Sequence, residues 1–196
     1  GRSGALPPGR TILAGVAVGQ LCGAFTSLAI MVFGQRDIAR SVMNWTLGSF
    51  AGMRWPNATV MVGCAVAAVL VLLFAANTLD AFAFGETSAR SLGVSVNRAR
   101  WALLVITALI TAATVAVAGP IGFVGLTIPH LVRITTGPGH GTLLPLAALA
   151  GAALLLVADT LARTIRPDTE VPIGVITAVI GAPVLVFLLR RQAGRS

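Results

Sequence analysis

The sequence predicts an all-α polytopic membrane protein with about six transmembrane helices, and three observations carry that prediction. Apolar residues make up 56% of the chain and charged residues 10%, where a soluble domain has roughly a quarter of its residues charged. The mean hydropathy is +0.91. The apolar stretches also recur to the end of the chain, whereas a signal peptide has a single short run near its start.

Five stretches lack Arg, Asp and Glu: residues 11–35, 57–79, 101–132, 134–158 and 171–189. Each is long enough to span, since about 20 apolar residues in a helix cross the hydrocarbon layer. The third is too long for one crossing and is interrupted at Gly119-Pro120-Ile121-Gly122, where proline removes a helical donor and glycine loosens the backbone. It divides into 101–118 and 121–133. The second of these is short and contains Pro129, so it is expected either to cross or to re-enter.

Between the spans lie three polar segments. In residues 36–50, Ile38, Val42 and Trp45 share one face of a short helix flanked by Arg36, Asp37 and Arg40, the pattern of a helix lying along the outer surface. Trp45 and Trp55 suit the interfacial belt there, and Trp101 suits the inner boundary. Residues 79–100 alternate apolar and polar residues with glycines and read as two short helices on the cytoplasmic face, longer than a simple connection needs. Residues 159–170 concentrate Asp159, Arg163, Arg166, Asp168 and Glu170.

The arginines orient the spans. If 121–133 crosses, Arg2, Arg10, Arg90, Arg98, Arg100, Arg133, Arg190, Arg191 and Arg195 share one side, against Arg36, Arg40, Arg54, Arg163 and Arg166 on the other. If it re-enters, the two sides are equal. The bias favours six crossings with both ends of the segment cytoplasmic.

Several function classes are excluded or disfavoured. The net charge is +8, with 14 arginines and no lysine; because the arginines sit between apolar runs, they set topology and are not a nucleic-acid surface. Without a lysine the chain cannot form a P-loop, so any energy coupling comes from a partner. Cys22 and Cys64 lie inside apolar runs with no paired spacing, which implies neither a disulfide framework nor a thiolate metal site. His130 has no second ligand at a useful spacing and reads as a helix-end hydrogen-bonding residue. No His-Glu-x-x-His, no serine with an intramembrane base and no paired intramembrane aspartates are found, so no catalytic residue, cofactor or metal is assigned. Gly15, Gly19 and Gly23 repeat every four residues on one face of the first span, the spacing at which helix backbones approach closely in lipid.

Several stretches together resemble a known family: Ile12-Leu13-Ala14-Gly15-Val16-Ala17; Gly85-Glu86-x-x-Ala89-Arg90-x-Leu92-Gly93; Ala118-Gly119-Pro120-Ile121-Gly122-Phe123-Val124-Gly125-Leu126-x-x-Pro129-His130; Leu143-Leu144-Pro145; and Glu170-x-Pro172-Ile173-Gly174-Val175. In order and spacing they look like the FecCD family, the permease subunits of type II ABC importers for ferric siderophores, haem and cobalamin. The resemblance implies a ten-helix permease fold of which this chain is similar to the last six helices, making residues 1–196 one partial transmembrane permease domain. With Gly1-Arg2-Ser3-Gly4 at its start, the sequence is expected to be a piece of a longer chain or a truncated gene.

The resemblance further implies a bacterial inner-membrane protein with three partners: a cytoplasmic ABC ATPase, a periplasmic or lipoprotein substrate-binding protein, and a second permease copy, identical or not. Residues 79–100 would be the coupling loop, with Gly85, Glu86, Ala89, Arg90, Leu92 and Gly93 seated against the ATPase. A capping glutamate followed by a glycine stop is the plainer reading of the same residues. Arg163 takes the position of an outward arginine that docks a glutamate of the binding protein; an internal pair with Asp159, four residues earlier, is the alternative. The implied cargo is a ferric siderophore carried as an intact chelate, with cobalamin or haem as alternatives, and a non-transporting scaffold as the reading outside transport.

Overall fold

The structure, a computed structural model, describes residues 8–34, 36–83, 85, 95–165 and 171–193. Among them every regular element is a helix. The chain divides into two compact units, residues 1–43 and 44–196.

The first unit contains α1, Pro8–Phe33, apolar on all sides as a helix with lipid or other helices around it must be. Ile12, Leu13, Phe25 and Met31 are all exposed. Gly34 N–H donates to the Ile30 carbonyl over 2.8 Å and closes the helix. The amphipathic α2, Arg36–Thr46, then begins, with Asp37 in its first turn, where a negative charge meets the positive end of the helix dipole. The short helix expected within residues 36–50 thus ends four residues before Phe50. It stops at Thr46 because Gly48 turns the chain with φ +73°.

The second unit takes in the end of α2 and five further helices: α3 (Trp55–Ala83), α4 (Val96–Ala118), α5 (Val124–Thr136), α6 (His140–Ile165) and α7 (Ile173–Ala193). α6 packs against α3, α5 and α7, and α3 also packs against α4. Buried residues gather at the two ends. At one, Ala158 and Ala162 of α6 meet Ile173 and Ile176 of α7, with Phe50, Leu155 and Val171 against them. At the other, Ala81 of α3 meets Val96 of α4, with Phe82 beside them. Elsewhere large apolar side chains such as Leu149, Leu156, Val179 and Phe187 face outward, which suits a lipid or helix environment and not water.

These contacts fix the direction of each helix. α3 leaves the first end and reaches the second at Ala81, where α4 begins; α4 returns and ends at Ala118, whose carbonyl accepts from Ser49 N–H over 2.9 Å. α6 starts at the second end, because His140 bonds Asp80 of α3. The chain between Ala118 and His140 therefore crosses and does not re-enter. α5 alone has 13 residues, about 20 Å of helix; the non-helical residues 119–123 supply the rest at up to ~3.3 Å each. Arg98, Arg100, Arg133 and Arg190 fall toward the second end of the unit, and Arg54 and Arg163 toward the first.

Several boundaries differ from the charge-free stretches. α3 runs on through Asp80 to Ala83 and α4 starts at Val96, so the outer parts of the 79–100 segment are ends of the spanning helices and not separate short helices. The fourth stretch does not begin at Ile134: α5 continues to Thr136, Gly137 breaks it with φ +79°, and α6 starts at His140 and passes through Asp159 to Ile165.

Candidate functional site

Residues of the singled-out motifs lie at both ends of the second unit. At the first end, three backbone segments meet without side chains between them. Gly174 N–H donates to the Gly48 carbonyl over 3.2 Å, and Ser49 N–H donates to Ala118. The indole Nε1–H of Trp45 donates to the Ala116 carbonyl over 3.3 Å. A Cβ at Gly119 would strike the Trp45 carbonyl oxygen, one at Gly174 the Leu47 carbonyl oxygen, and one at Gly48 would lie 2.7 Å from the Pro120 oxygen. Gly119 also has φ +73°, a left-handed conformation that a Cβ disfavours.

Phe123 has φ +66°, the one non-glycine with positive φ among the described residues, and it is the residue before α5. Its Cβ lies where a Cβ at Gly181 of α7 would have to sit. Motif glycines Gly122 and Gly125, by contrast, have open space above them. The 118–130 motif is thus mainly backbone architecture, as its helix-breaking residues suggest. Beside it, Phe50, Met61, Thr111, Thr114, Ile121 and Leu155 line a cavity of about 300 Å³, apolar apart from its threonines, of which Thr114 donates its hydroxyl to the Ile110 carbonyl of α4. His130 follows Pro129 in α5 and is half-buried. The Thr127 hydroxyl is buried with no hydrogen-bond partner.

On α6 near this end, Arg163 Nε donates to Asp159 Oδ2 over 2.9 Å, and the arginine side chain is 58% exposed. The internal pair read from the sequence is therefore present, on a surface where an i,i+4 pair contributes about 0.3–0.5 kcal/mol. Such a pair is weak enough to be exchanged for another carboxylate.

At the second end, Asp80 Oδ1 accepts two bonds from one residue: the backbone N–H of His140 at 2.9 Å and its Nδ1 at 2.6 Å. The carboxylate thus occupies the N-terminus of α6, where unpaired amides and the dipole favour an anion. Gly85 follows α3 with φ +95° and its N–H bonded to the Phe82 carbonyl. Glu86, Ala89, Arg90, Leu92 and Gly93 lie outside the described residues. The Asp80–His140 pair did not emerge from the sequence, because its members are 60 residues apart. The available signal was a lone aspartate just beyond one apolar stretch and a histidine after Gly137-Pro138-Gly139.

In the first unit, a Cβ at Gly15, Gly19 or Gly23 would meet nothing within 4 Å. Among the described residues Cys22 and Cys64 are free thiols, and no group of three His, Cys, Asp or Glu is placed to hold a metal.

Comparison with known proteins gives a consistent picture. A model of the FecCD transport family matches residues 1–191. The cobalamin import system permease protein BtuC of Halobacterium salinarum is 43% identical over 195 residues, covering all of this chain and 52% of that protein. The hemin transport system permease protein HmuU of Yersinia pestis is 39% identical over 183 residues, 93% of this chain and 54% of the relative. A solved structure described as an inward-facing conformation of a metal-chelate type ABC transporter superposes with a TM-score of 0.85 at 34% identity, over 92% of this chain and 58% of that one. The chain spans about half the length of the curated relatives it matches.

Proposed function

Because this chain belongs to the FecCD transport family, we propose that it is part of the permease subunit of an ABC importer that moves a metal chelate across a bacterial inner membrane. Family membership over residues 1–191 is the observation that carries this reading. The polypeptide does no covalent chemistry: a partner ATPase supplies the energy, a substrate-binding protein delivers the cargo, and a second permease copy completes the path. The two units are read as parts of one permease domain.

The excess of arginines toward the Asp80–His140 end supports a cytoplasmic location for that end and an external one for the glycine junction. On that orientation residues 79–100 face the ATPase, and Gly85, Glu86, Ala89, Arg90, Leu92 and Gly93 form the coupling surface. Arg163 faces the binding protein. It exchanges its weak bond to Asp159 for a carboxylate of the partner, which a guanidinium can grip with two parallel hydrogen bonds. Gly15, Gly19 and Gly23 form a helix-packing face.

A ferric siderophore is the cargo expected from the sequence, but neither relative named above carries one in its name. Cobalamin and haem are therefore the first ligands to offer. The test is uptake by a strain deleted for the native gene and complemented with the complete reading frame, given labelled cobalamin, haem and ferric siderophores in parallel. Uptake of one ligand that depends on the ATPase is the expected result. A protein present in the membrane that restores none of the three would overturn the assignment.

A further inference from the structure

We infer that Asp80 and His140 are positioning residues that deliver ATPase-driven displacement of the coupling segment to α6, a role that rests on the transport reading above. Asp80 lies in the last turn of α3, five residues before Gly85, the first candidate coupling residue. His140 is the first residue of α6. One carboxylate oxygen holds both the main chain and the ring of His140, so the tie fixes the helix start and not merely a side chain. The base of the coupling segment is closed at the same place by Ala81, Phe82 and Val96. A displacement entering at this base meets α6 directly.

α6 is suited to carry that displacement. It packs against α3, α5 and α7, and its 26 residues give a rod of about 39 Å. The far end of the rod bears Asp159 and Arg163. Pro145 lies within α6, where its missing N–H leaves the Gly141 carbonyl without its usual helical partner and loosens the first turn from the rest. Asp80 offsets that weakness by gripping the first turn from outside, and Leu143, buried at 3% exposure, anchors the same face of that turn. Without the tie, the first turn of α6 could yield while the rest of the helix stayed in place.

The experiment uses the complete permease with its ATPase and binding protein in proteoliposomes, and reads ligand transported per ATP hydrolysed. Asp80→Ala removes both bonds and is expected to lower that ratio about tenfold, within the usual range of coupling between sites, while the ATPase still co-purifies. His140→Ala keeps the backbone bond and should lower the ratio less. His140→Asn, whose amide can donate to the carboxylate in place of Nδ1, should recover most of it. A purely structural role would change the amount of inserted protein and leave the ratio of the inserted fraction alone. If Asp80→Ala does not reach the membrane, the two His140 variants decide the matter. An unchanged ratio in Asp80→Ala, or in His140→Ala where that variant decides, overturns the inference, as does a His140→Asn ratio no better than that of His140→Ala. Failure of the unmodified complex to transport or to bind the ATPase would instead count against the transport reading.

Discussion

Gly174 donates its amide to the carbonyl of Gly48, 126 positions earlier in the chain. Neither residue has a side chain that could be seen making the contact, yet it holds the start of α7 against the turn after α2. Together with Gly119 it forms a junction in which main-chain atoms touch and no volume remains for a Cβ.

Gly174→Ala and Gly119→Ala are therefore expected to destabilise the protein by about 2 kcal/mol or more, the usual range for overpacking a filled site, to which the positive φ of Gly119 adds backbone strain. Gly122→Ala and Gly125→Ala, in open space, should be tolerated. Thermal denaturation of the four detergent-solubilised variants checks this; equal losses in all four would show that the junction is not special.

Gly181→Ala should also destabilise, because the new methyl group meets the Cβ of Phe123. Phe123→Gly removes that Cβ and relieves the positive φ, so it should suppress much of the Gly181→Ala defect. The two changes are in contact and are expected to be non-additive by about 1 kcal/mol or more. A double-mutant cycle on melting midpoints measures the coupling, and strict additivity would rule out the contact.

Arg163→Glu should weaken binding-protein affinity by about tenfold or more, as loss and reversal of an interfacial charge commonly do. Asp159→Ala, which only releases the internal pair, should leave affinity unchanged or slightly raised. Titration of the immobilised permease with its binding protein separates the two. If Arg163→Glu binds as tightly as the parent, the arginine does not dock the binding protein.

Glu86→Arg should reduce co-purification of the ATPase severalfold while leaving membrane insertion intact, since reversal of a docking charge opposes association without touching a span. Recovery of the ATPase in parental amounts would remove Glu86 from the coupling surface.

The helices were legible in the sequence because each must be apolar over a full crossing; their ends were not. Charge marks where a helix leaves hydrocarbon, whereas hydrogen bonding marks where it stops being a helix. The charge-free criterion thus ended one span at Ala158, although the Asp159–Arg163 pair lies on the same helix as it continues to Ile165. It began that span at Ile134, although Gly137, with its positive φ, is where the backbone turns. Family motifs located the glycine-rich stretches correctly, but not which glycines are essential. Gly119 and Gly122 look alike in sequence, and only the carbonyl of Trp45, brought in from α2, distinguishes them. The Asp80–His140 tie was invisible for a similar reason, since it depends on the packing of α6 against α3.

The unequal lengths of the crossing helices have a consequence for the surrounding lipid. The apolar stretch of α3, residues 57–79, rises about 35 Å, more than the ~30 Å of a typical hydrocarbon layer, and is long enough to span with some tilt. α5 has less than half the residues of α3 and cannot lean in concert. A thinner bilayer would therefore tilt α3 further than α5, and the angle between the two helices would change. Membrane thickness, set by acyl-chain length, thus acts on this protein as a mechanical variable.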